Sequence, residues 1–290
     1  DINPIKSDQG GTVTGRFSYS NPNLQQIPAR NKDLGPMIRG LFIPEKDHTW
    51  GCFDYSQQEP RLVVHYAATT EPICFNDSVT KIVEKFKDDS VDFHQTVADM
   101  ANISRSQAKT INLGLFYGMG KAKLQAELGL NTKQEAENLF NQYHDNVPFV
   151  RELMNRTSSF AQTSGSIGTL LGRKCRFDKW EPATFGMHTP MTLEEAERTY
   201  GRGRIRRAFT YKALNKLIQG SAADMTKKAM LDLYQEGIIP HIQIHDELDL
   251  SIESQEQAKK IIEIMENAVK LTIPNKVDYE SGQTWGEING

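Results

Sequence analysis

The stretch of sequence that decides the fold is His241-Ile242-Gln243-Ile244-His245-Asp246-Glu247-Leu248-Asp249-Leu250-Ser251-Ile252. Its apolar residues occupy alternate positions on both sides of an acidic pair, Asp246-Glu247. A period of two is the side-chain period of a strand, so the pattern predicts a β-hairpin with the acidic pair at its tip. Acidic hairpin tips are more often ordinary solvated turns, because turns favour Asp on conformational grounds. The hairpin alone therefore does not establish a site.

A second carboxylate ends another predicted strand, far away along the chain. Residues 49–54 read as a short buried strand that ends at Asp54. Only the fold could bring Asp54 close to Asp246. Two such carboxylates can bridge a pair of divalent cations about 3.5–4 Å apart, an arrangement that promotes in-line displacement at phosphorus. The two strand ends therefore suggest a metal-dependent site.

The composition is that of an ordinary soluble globular protein, with 290 residues, 38% hydrophobic and 24% charged. A chain of this length can form one large domain or two lobes. No apolar run is long enough for a membrane span, and we expect no signal peptide. The three cysteines are scattered and lack the paired spacing of a zinc site. We therefore expect no disulfide framework, which suits a protein located in a reducing cytoplasm. Any metal ion would then be bound by oxygen ligands, which hard cations such as Mg²⁺ prefer.

The net charge of −3 excludes a basic DNA-coating protein, but basic residues are clustered locally. The two clusters are Arg173, Lys174 and Arg176, and then Arg202, Arg204, Arg206, Arg207 and Lys212. Such clusters on a nearly neutral chain fit a groove that holds phosphate along one side. A solvated surface is an equally good interpretation of either cluster by itself.

The order of predicted elements indicates an α+β fold. The first fifty residues are rich in Gly, Pro, Asn and Gln and read as extended loops and turns. Helical patterns fill residues 57–160, with a helix pair at 131–160, and return at 208–236 and 254–271. Residues 178–204 are polar and read as an irregular insertion. Because the strands lie at the two ends, we expect a sheet domain split by a helical insertion.

One predicted helix has the polarity of a nucleotide. Ser104 and Gln107 form an S-x-x-Q capping box at its start, and Gly118 and Gly120 mark its end. The residues Arg105, Lys109, Leu113 and Tyr117 are spaced by four and stay on one side. The cationic end suits phosphates and the apolar, aromatic end suits sugar and base. An ordinary helix with a solvated basic start and a buried end fits equally well.

Five stretches, taken together, resemble family A DNA polymerases, the bacterial DNA polymerase I type and its phage relatives. The first palm motif, D-Y-S-Q-x-E-x-R, is matched at residues 54–61, the fingers motif, R-x3-K-x7-Y-G, at 105–118, and the V-H-D-E motif at 244–247. Residues 14–28 match T-G-R-x-S…P-N-L-Q-x-I-P, and residues 215–224 match N-x3-Q-G-x2-A-D. Five motifs in the family's order are highly specific, and they cover nearly the whole chain.

The resemblance implies a catalytic centre built on two metal ions. Asp54 and Asp246 would bind the metals, with the backbone carbonyl of Tyr55 assisting one of them. The expected cofactor is a pair of Mg²⁺ ions, with Mn²⁺ as an alternative. Glu247 would lie near the primer end in a supporting catalytic role.

The resemblance also implies how the substrates are bound. Arg105, Lys109 and His94 would contact the triphosphate, and Lys109 would also protonate the leaving pyrophosphate. Glu59 would be the steric gate that excludes a 2′-hydroxyl. The remaining nucleotide contacts implied are Gln57, Leu113 and Tyr117. The residues that would contact the minor groove of the primer–template are Arg16, Asn215, Gln219 and His245.

Several positions depart from the family pattern. Leu113 stands where the family usually has Phe or Tyr, so the sugar contact loses a flat ring face. Gln58 and Pro60 flank the gate where aliphatic residues are usual, and proline fixes φ and supplies no N–H. Tyr211 stands where Arg is frequent, which removes one expected DNA contact.

The implied architecture is an antiparallel-sheet palm with an inserted helical fingers subdomain, the right-hand polymerase fold without a thumb in this stretch of chain. We expect residues 1–65 and 208–290 to form the palm and residues 66–207 the fingers. The implied partners are primer–template DNA and deoxynucleoside triphosphates. A thumb and exonuclease region is expected upstream or on another chain. The implied location is the cytoplasm of a bacterium or a phage-infected cell.

Three other functions are compatible with parts of the pattern. A single-subunit RNA polymerase shares this palm, but Glu59 argues against it because an RNA polymerase must admit the 2′-hydroxyl. A metal-dependent nuclease also uses paired carboxylates, but it has no need of Arg105 and Lys109 on a nucleotide-facing helix. A non-catalytic DNA-binding accessory protein could keep the fold, although the intact set of acidic and basic site residues argues against decay.

Overall fold

The computed structural model describes residues 1–4, 6–7, 10–28, 31–88, 91–116, 121–184 and 186–288. The described helices are α1 Leu34–Arg39, α2 Gln58–Thr69, α3 Asp77–Lys85, α4 Phe93–Ala101, α5 Arg105–Phe116, α6 Lys121–Glu127, α7 Lys133–Asn146, α8 Pro148–Ser164, α9 Leu193–Tyr200, α10 Ala213–Gln235 and α11 Gln255–Asn267. The described strands are β1 Ile2–Asn3, β2 Ser18–Tyr19, β3 Thr49–Tyr55, β4 Ser166–Gly168, β5 Lys174–Arg176, β6 Trp180–Pro182, β7 Ile205–Arg207, β8 Ile242–Ile244, β9 Glu247–Ile252 and β10 Val277–Gly282. The predicted α+β class is confirmed.

The chain forms two compact units. The first, here called the sheet unit, comprises Asp1–Leu62 and Gln219–Gly290, and the second, the helical unit, comprises Val63–Ile218. No described helix is both long and apolar enough to cross a membrane.

The sheet unit is built on a four-stranded antiparallel sheet in the order β10-β3-β9-β8. The predicted strand at 49–54 is confirmed as β3, and the predicted hairpin is confirmed as β8 and β9. In the register of this sheet, Asp54 on β3 lies opposite Glu247 on β9 and Asp278 on β10. The sheet therefore gathers acidic residues from three strands at one end.

The two faces of this sheet differ because side chains alternate along each strand. One face is an apolar core that includes Phe53, Leu248 and Leu250, all buried. On the other face, Trp50, Cys52 and Ile242 pack with Trp285 and Ile288 near the C-terminus. That second face is apolar at one end and acidic at the other, where Asp54 and Glu247 lie.

The helical unit packs α4 against α5 and α7, and α5 against α8. The predicted capping box at the start of α5 is confirmed. The Ser104 N–H donates to Gln107 Oε1 at 3.0 Å, and the Gln107 N–H donates to Ser104 Oγ at 3.2 Å. The predicted helix pair at 131–160 is confirmed as α7 and α8. The predicted helix-ending glycines, Gly118 and Gly120, lie outside the described residues.

Three sequence predictions of local structure were wrong or incomplete. Residues 178–204 are not irregular throughout, because β6 pairs with β7 and α9 lies between them. Helix α9 begins with a capping box formed by Thr192 and Glu195. Helix α1 interrupts the first fifty residues, which were expected to be extended, and β10 was not predicted.

Candidate active site

The hairpin tip is held in one conformation by contacts from two strands. His245 follows β8 and adopts a left-handed backbone, with φ 56. Non-glycine residues adopt this region at some energetic cost, so they persist where surrounding contacts enforce it. Gln243 Nε2 donates to the His245 carbonyl at 2.6 Å, and the Tyr55 N–H donates to the Asp246 carbonyl at 3.3 Å. The tip is thereby fixed beside the end of β3.

This arrangement brings the two predicted metal ligands together with a third carboxylate. Burial, followed by repulsion from the carboxylates of Asp246, Glu247 and Asp278, raises the pKa of Asp54 to about 8. Burial also raises the pKa of Asp246, although the Arg16 guanidinium opposes that rise. The pKa of Glu247 is raised to about 9, first by burial and then by Asp249. The site therefore concentrates carboxyl groups in partly desolvated surroundings, which favour their neutral forms unless a positive charge compensates.

The residues present fit a divalent cation. Carboxylates this close repel one another, and a bound cation would relieve that repulsion and favour their charged forms. Asp54 and Asp246 offer the oxygen ligands that hard divalent cations prefer. The Tyr55 side chain points elsewhere, since its hydroxyl donates to the Met265 carbonyl at 2.6 Å. Any contact of Tyr55 with a cation would therefore come from its backbone carbonyl.

The structure also reveals a buried acidic residue that the sequence did not single out. Asp249 is fully buried and lies opposite Cys52 in the sheet. Potential ligand atoms of Cys52, Glu247 and Asp249 all lie within 4.8 Å of one another. Burial raises the pKa of Asp249 to about 6. The period-two pattern assigns Asp249 to the same face as Glu247, but only the three-dimensional packing shows that this position is buried.

The predicted steric gate forms an ion pair with a predicted DNA contact. Arg16 Nη2 lies 2.6 Å from Glu59 Oε1, and their side chains are 21% and 12% exposed. Glu59 lies in the first turn of α2. Pro60, in the same turn, is compatible with the helix because N–H groups in the first turn have no intrahelical acceptor, so the missing N–H removes no hydrogen bond. Gln58 points inward and its Nε2 donates to Thr226 Oγ1 at 3.2 Å. Gln57, just before the helix, has a left-handed backbone with φ 54.

The predicted triphosphate contacts all lie in the helical unit. Arg105 and Lys109 are exposed on α5, and Leu113 further along is half-buried. Arg105 Nη2 lies 2.6 Å from Asp92 Oδ2. Burial raises the pKa of Asp92, but a hydrogen bond from the Gln95 amide and the pair with Arg105 outweigh this and lower it. Tyr117 lies outside the described residues.

The predicted minor-groove contacts lie on several elements of the fold. Asn215 and Gln219 are half-buried on α10, and their spacing of four puts them on one side of that helix. His245 is exposed at the hairpin tip. Arg16 is half-buried and already paired with Glu59. Tyr211, which replaces an expected Arg, is 53% exposed.

The basic clusters are only partly available to a ligand. Arg206 Nε donates to Glu181 Oε1 at 2.8 Å, and the Arg207 guanidinium lies 4.6 Å from the Trp180 ring centroid. Arg207 Nη1 also donates to the Phe177 carbonyl. These two arginines therefore stabilise the β6–β7 region. By contrast, Lys174 on β5 is exposed.

Known proteins resemble this chain along nearly its full length. A DNA-directed DNA polymerase of Pseudomonas phage M6 is 35% identical over 97% of this chain and 44% of its own length. DNA polymerase I of Caldicellulosiruptor bescii is 35% identical over 96% of this chain and 31% of its own length. The POL domain of Pol1 from M. smegmatis, solved in complex with DNA primer-template and dNTP, superposes with a TM-score of 0.74 at 28% identity. That match covers 95% of this chain and 46% of that chain.

The chain therefore spans less than half the length of these relatives. Family A polymerases generally depend on divalent metal ions, which agrees with the carboxylate cluster at Asp54 and Asp246. The sequence model of DNA polymerase family A matches residues 5–287. With that match and the phage and bacterial relatives, the chain belongs to DNA polymerase family A.

Proposed function

We propose that this chain carries the nucleotidyl-transfer site of a template-directed DNA polymerase. It would join a deoxynucleoside monophosphate to a primer 3′-hydroxyl and release pyrophosphate. The observation that carries the proposal is the gathering of Asp54, Asp246 and Glu247 at one end of the sheet. The phage relative named a DNA-directed DNA polymerase supports it.

Asp54 and Asp246, with the backbone carbonyl of Tyr55, would hold two Mg²⁺ ions, and Mn²⁺ could replace them. When bound, the ions supply positive charge that activates the 3′-hydroxyl and neutralises the triphosphate. The protein orients the carboxylates for that task, since the His245 turn and the Tyr55 amide hold Asp246 in place. Glu247, opposite Asp54, supports this arrangement near the primer end.

The exposed cations of α5 and the nearby imidazole would bind the triphosphate. Arg105 and Lys109 offer charge-assisted hydrogen bonds to phosphate oxygens, which are stronger than neutral ones. Lys109 would also give a proton to the leaving pyrophosphate, as a general acid. His94 completes the proposed triphosphate contacts, and Gln57 is a further proposed nucleotide contact. Leu113 and Tyr117 would contact the sugar and the base.

Primer–template DNA would be contacted in its minor groove by Arg16, Asn215, Gln219 and His245. Acceptors in that groove look alike in all correct base pairs, so donors aimed at them test pair shape without demanding a sequence. A thumb and exonuclease region is proposed to lie upstream of this chain or on another chain. The bacterial and phage sources of the relatives support the cytoplasm of a bacterium or a phage-infected cell as the location of this protein.

Primer extension with deoxy- and ribonucleotides tests this function and its sugar selection. The native chain should prefer deoxynucleotides, and Glu59→Ala should reduce that preference about ten- to a hundredfold, the discrimination that a small steric difference provides. The measurement is kcat/KM for single-nucleotide addition with each sugar. The exposed Glu71→Ala variant serves as control and should keep the native preference. Equal use of both sugars by the native chain would instead indicate an RNA polymerase.

Dideoxynucleotide acceptance tests the unusual Leu113. Because Leu lacks the flat ring face of Tyr, we expect Leu113→Tyr to accept dideoxynucleotides about tenfold better, the worth of one aromatic contact. The measurement is the ratio of dideoxy to deoxy incorporation, with deoxy incorporation by the same variant as its control. Equal dideoxy incorporation by the native chain and the variant would contradict the assignment of Leu113 to the sugar contact.

A further inference from the structure

Three side chains from three helices form a hydrogen-bonded line behind the proposed phosphate contacts. The Tyr143 hydroxyl on α7 donates to Asn112 Oδ1 on α5 at 2.5 Å. Asn112 Nδ2 lies 3.1 Å from Nδ1 of His94, in the first turn of α4. Tyr143 and Asn112 are both fully buried, and His94 is half-buried. The line thus leads from the core of the helical unit to a partly exposed imidazole.

The direction of these hydrogen bonds determines where His94 carries its proton. A fully buried hydroxyl must find an acceptor, and the Tyr143 hydroxyl finds it in the Asn112 oxygen. The Asn112 amide nitrogen therefore faces His94, and an amide nitrogen can only donate. Nδ1 of His94 must then accept, so the proton of the neutral ring lies on Nε2.

The surroundings also keep this ring neutral. Burial, together with the nearby Lys109 and Arg105, lowers the pKa of His94 to about 4, although Asp92 opposes this shift. Near neutral pH the ring is therefore uncharged, with Nε2–H as its donor. Arg105 and Lys109 already supply positive charge beside the His94 ring. A neutral Nε2–H donor therefore adds a directional hydrogen bond without further like-charge repulsion.

We propose that Asn112 and Tyr143 are positioning residues, which hold His94 in the Nε2–H tautomer so that it donates to a phosphate oxygen of the incoming nucleotide. This inference rests on the proposed function and deepens it. His94 would contact the substrate, whereas Asn112 and Tyr143 would act only through its ring. Tyr143→Phe removes one hydroxyl and leaves the Asn112 amide free to turn. Asn112→Asp keeps the shape but presents only acceptors, which draws a proton to Nδ1.

The first test is the tautomer itself, read from the ring nitrogen chemical shifts of His94 in the full chain labelled with ¹⁵N. The native chain should show the Nε2–H tautomer, Tyr143→Phe a mixture, and Asn112→Asp a ring protonated at Nδ1 with a raised pKa. This readout does not depend on activity. A native Nε2–H tautomer that persists in both variants would overturn the inference.

The second test is the KM for the incoming nucleotide in primer extension. Tyr143→Phe should raise this KM about five- to tenfold, the effect of one misdirected hydrogen bond, while kcat changes less. His94→Gln, which keeps a donor, should lose less affinity than His94→Ala. Tyr143→Phe should add nothing in a chain that already carries His94→Ala, because the pair acts through one contact. Phe140→Leu, elsewhere on α7, controls for general loosening of the core and should leave the KM unchanged.

The variants of the second test distinguish failure of this inference from failure of the proposed function. An unchanged KM in His94→Ala would remove His94 from the phosphate site and with it both claims about that residue. A raised KM in His94→Ala with a native KM in Tyr143→Phe and Asn112→Asp would leave the phosphate contact in place and refute the positioning role.

Discussion

Replacing Asp246 by Asn should lower primer extension by at least about a thousandfold. A loss of this size corresponds to about 4 kcal/mol of transition-state stabilisation, the scale expected when a group that holds catalytic metal charge is removed. Asp246 lies at the hairpin tip, where its backbone carbonyl accepts from Tyr55. The exchange keeps the side chain's shape and removes its charge, so the turn should survive.

Single-nucleotide extension under saturating Mg²⁺ measures this loss. A second readout is thermal stabilisation by Mn²⁺, which should be large in the native chain and much smaller in Asp246→Asn, since cation binding to the folded state raises its stability. Asp47→Asn, at an exposed turn of the same unit, is the matched control and should behave like the native chain. Extension above a tenth of the native rate, with an unchanged Mn²⁺ response, would refute the metal assignment.

The same experiment with Asp54→Ala separates the remaining alternative functions. A catalytic site that depends on both carboxylates should lose extension in either variant. If the native chain does not extend a primer but cuts DNA in a metal-dependent way, the result favours the nuclease function. If it binds primer–template without extending or cutting it, and Asp54→Ala leaves binding unchanged, the chain is an accessory protein.

The features that sequence reasoning predicted well are those fixed by local patterns. Strand β3 and the hairpin follow from a period of two, and the start of α5 follows from the capping pair Ser104 and Gln107. Each of these signals lies within a few residues. The acidic tip could therefore be located before the fold was known, although its meeting with Asp54 could not.

The features that were missed depend on distant partners or on weak local signals. Strand β10 is stabilised by pairing with β3, a partner far away along the chain. Helix α1 contains Gly35 and Pro36, which have low helix propensity. The capping residues of helix α9 were present in the sequence, but the polar stretch around them showed no clear helical pattern. The Arg16–Glu59 pair and the burial of Asp249 follow from three-dimensional packing, which no short pattern contains.

Lys109 should divide its contribution between binding and chemistry, and two substitutions separate the parts. Lys109→Ala removes both the charge on α5 and the proposed proton donor. We expect a loss of about a hundred- to a thousandfold in kcat/KM, since general acid catalysis alone contributes about a hundredfold or more. Lys109→Arg keeps the positive charge but cannot release a proton, because guanidinium stays protonated in proteins. Its KM should therefore stay near the native value while its kcat falls.

Rapid-quench measurement of single-nucleotide addition gives the rate of the chemical step and the nucleotide affinity separately. Lys123→Ala, which removes an exposed lysine from α6 of the same unit, is the matched control and should retain both values. If Lys109→Arg matched the native rate of the chemical step, Lys109 would act as a charge alone and the proton would reach pyrophosphate by another route. If instead both variants lost only affinity, the role of α5 would be limited to holding the triphosphate. A fall in the chemical rate with affinity kept in Lys109→Arg is the one result that assigns the proton to Lys109.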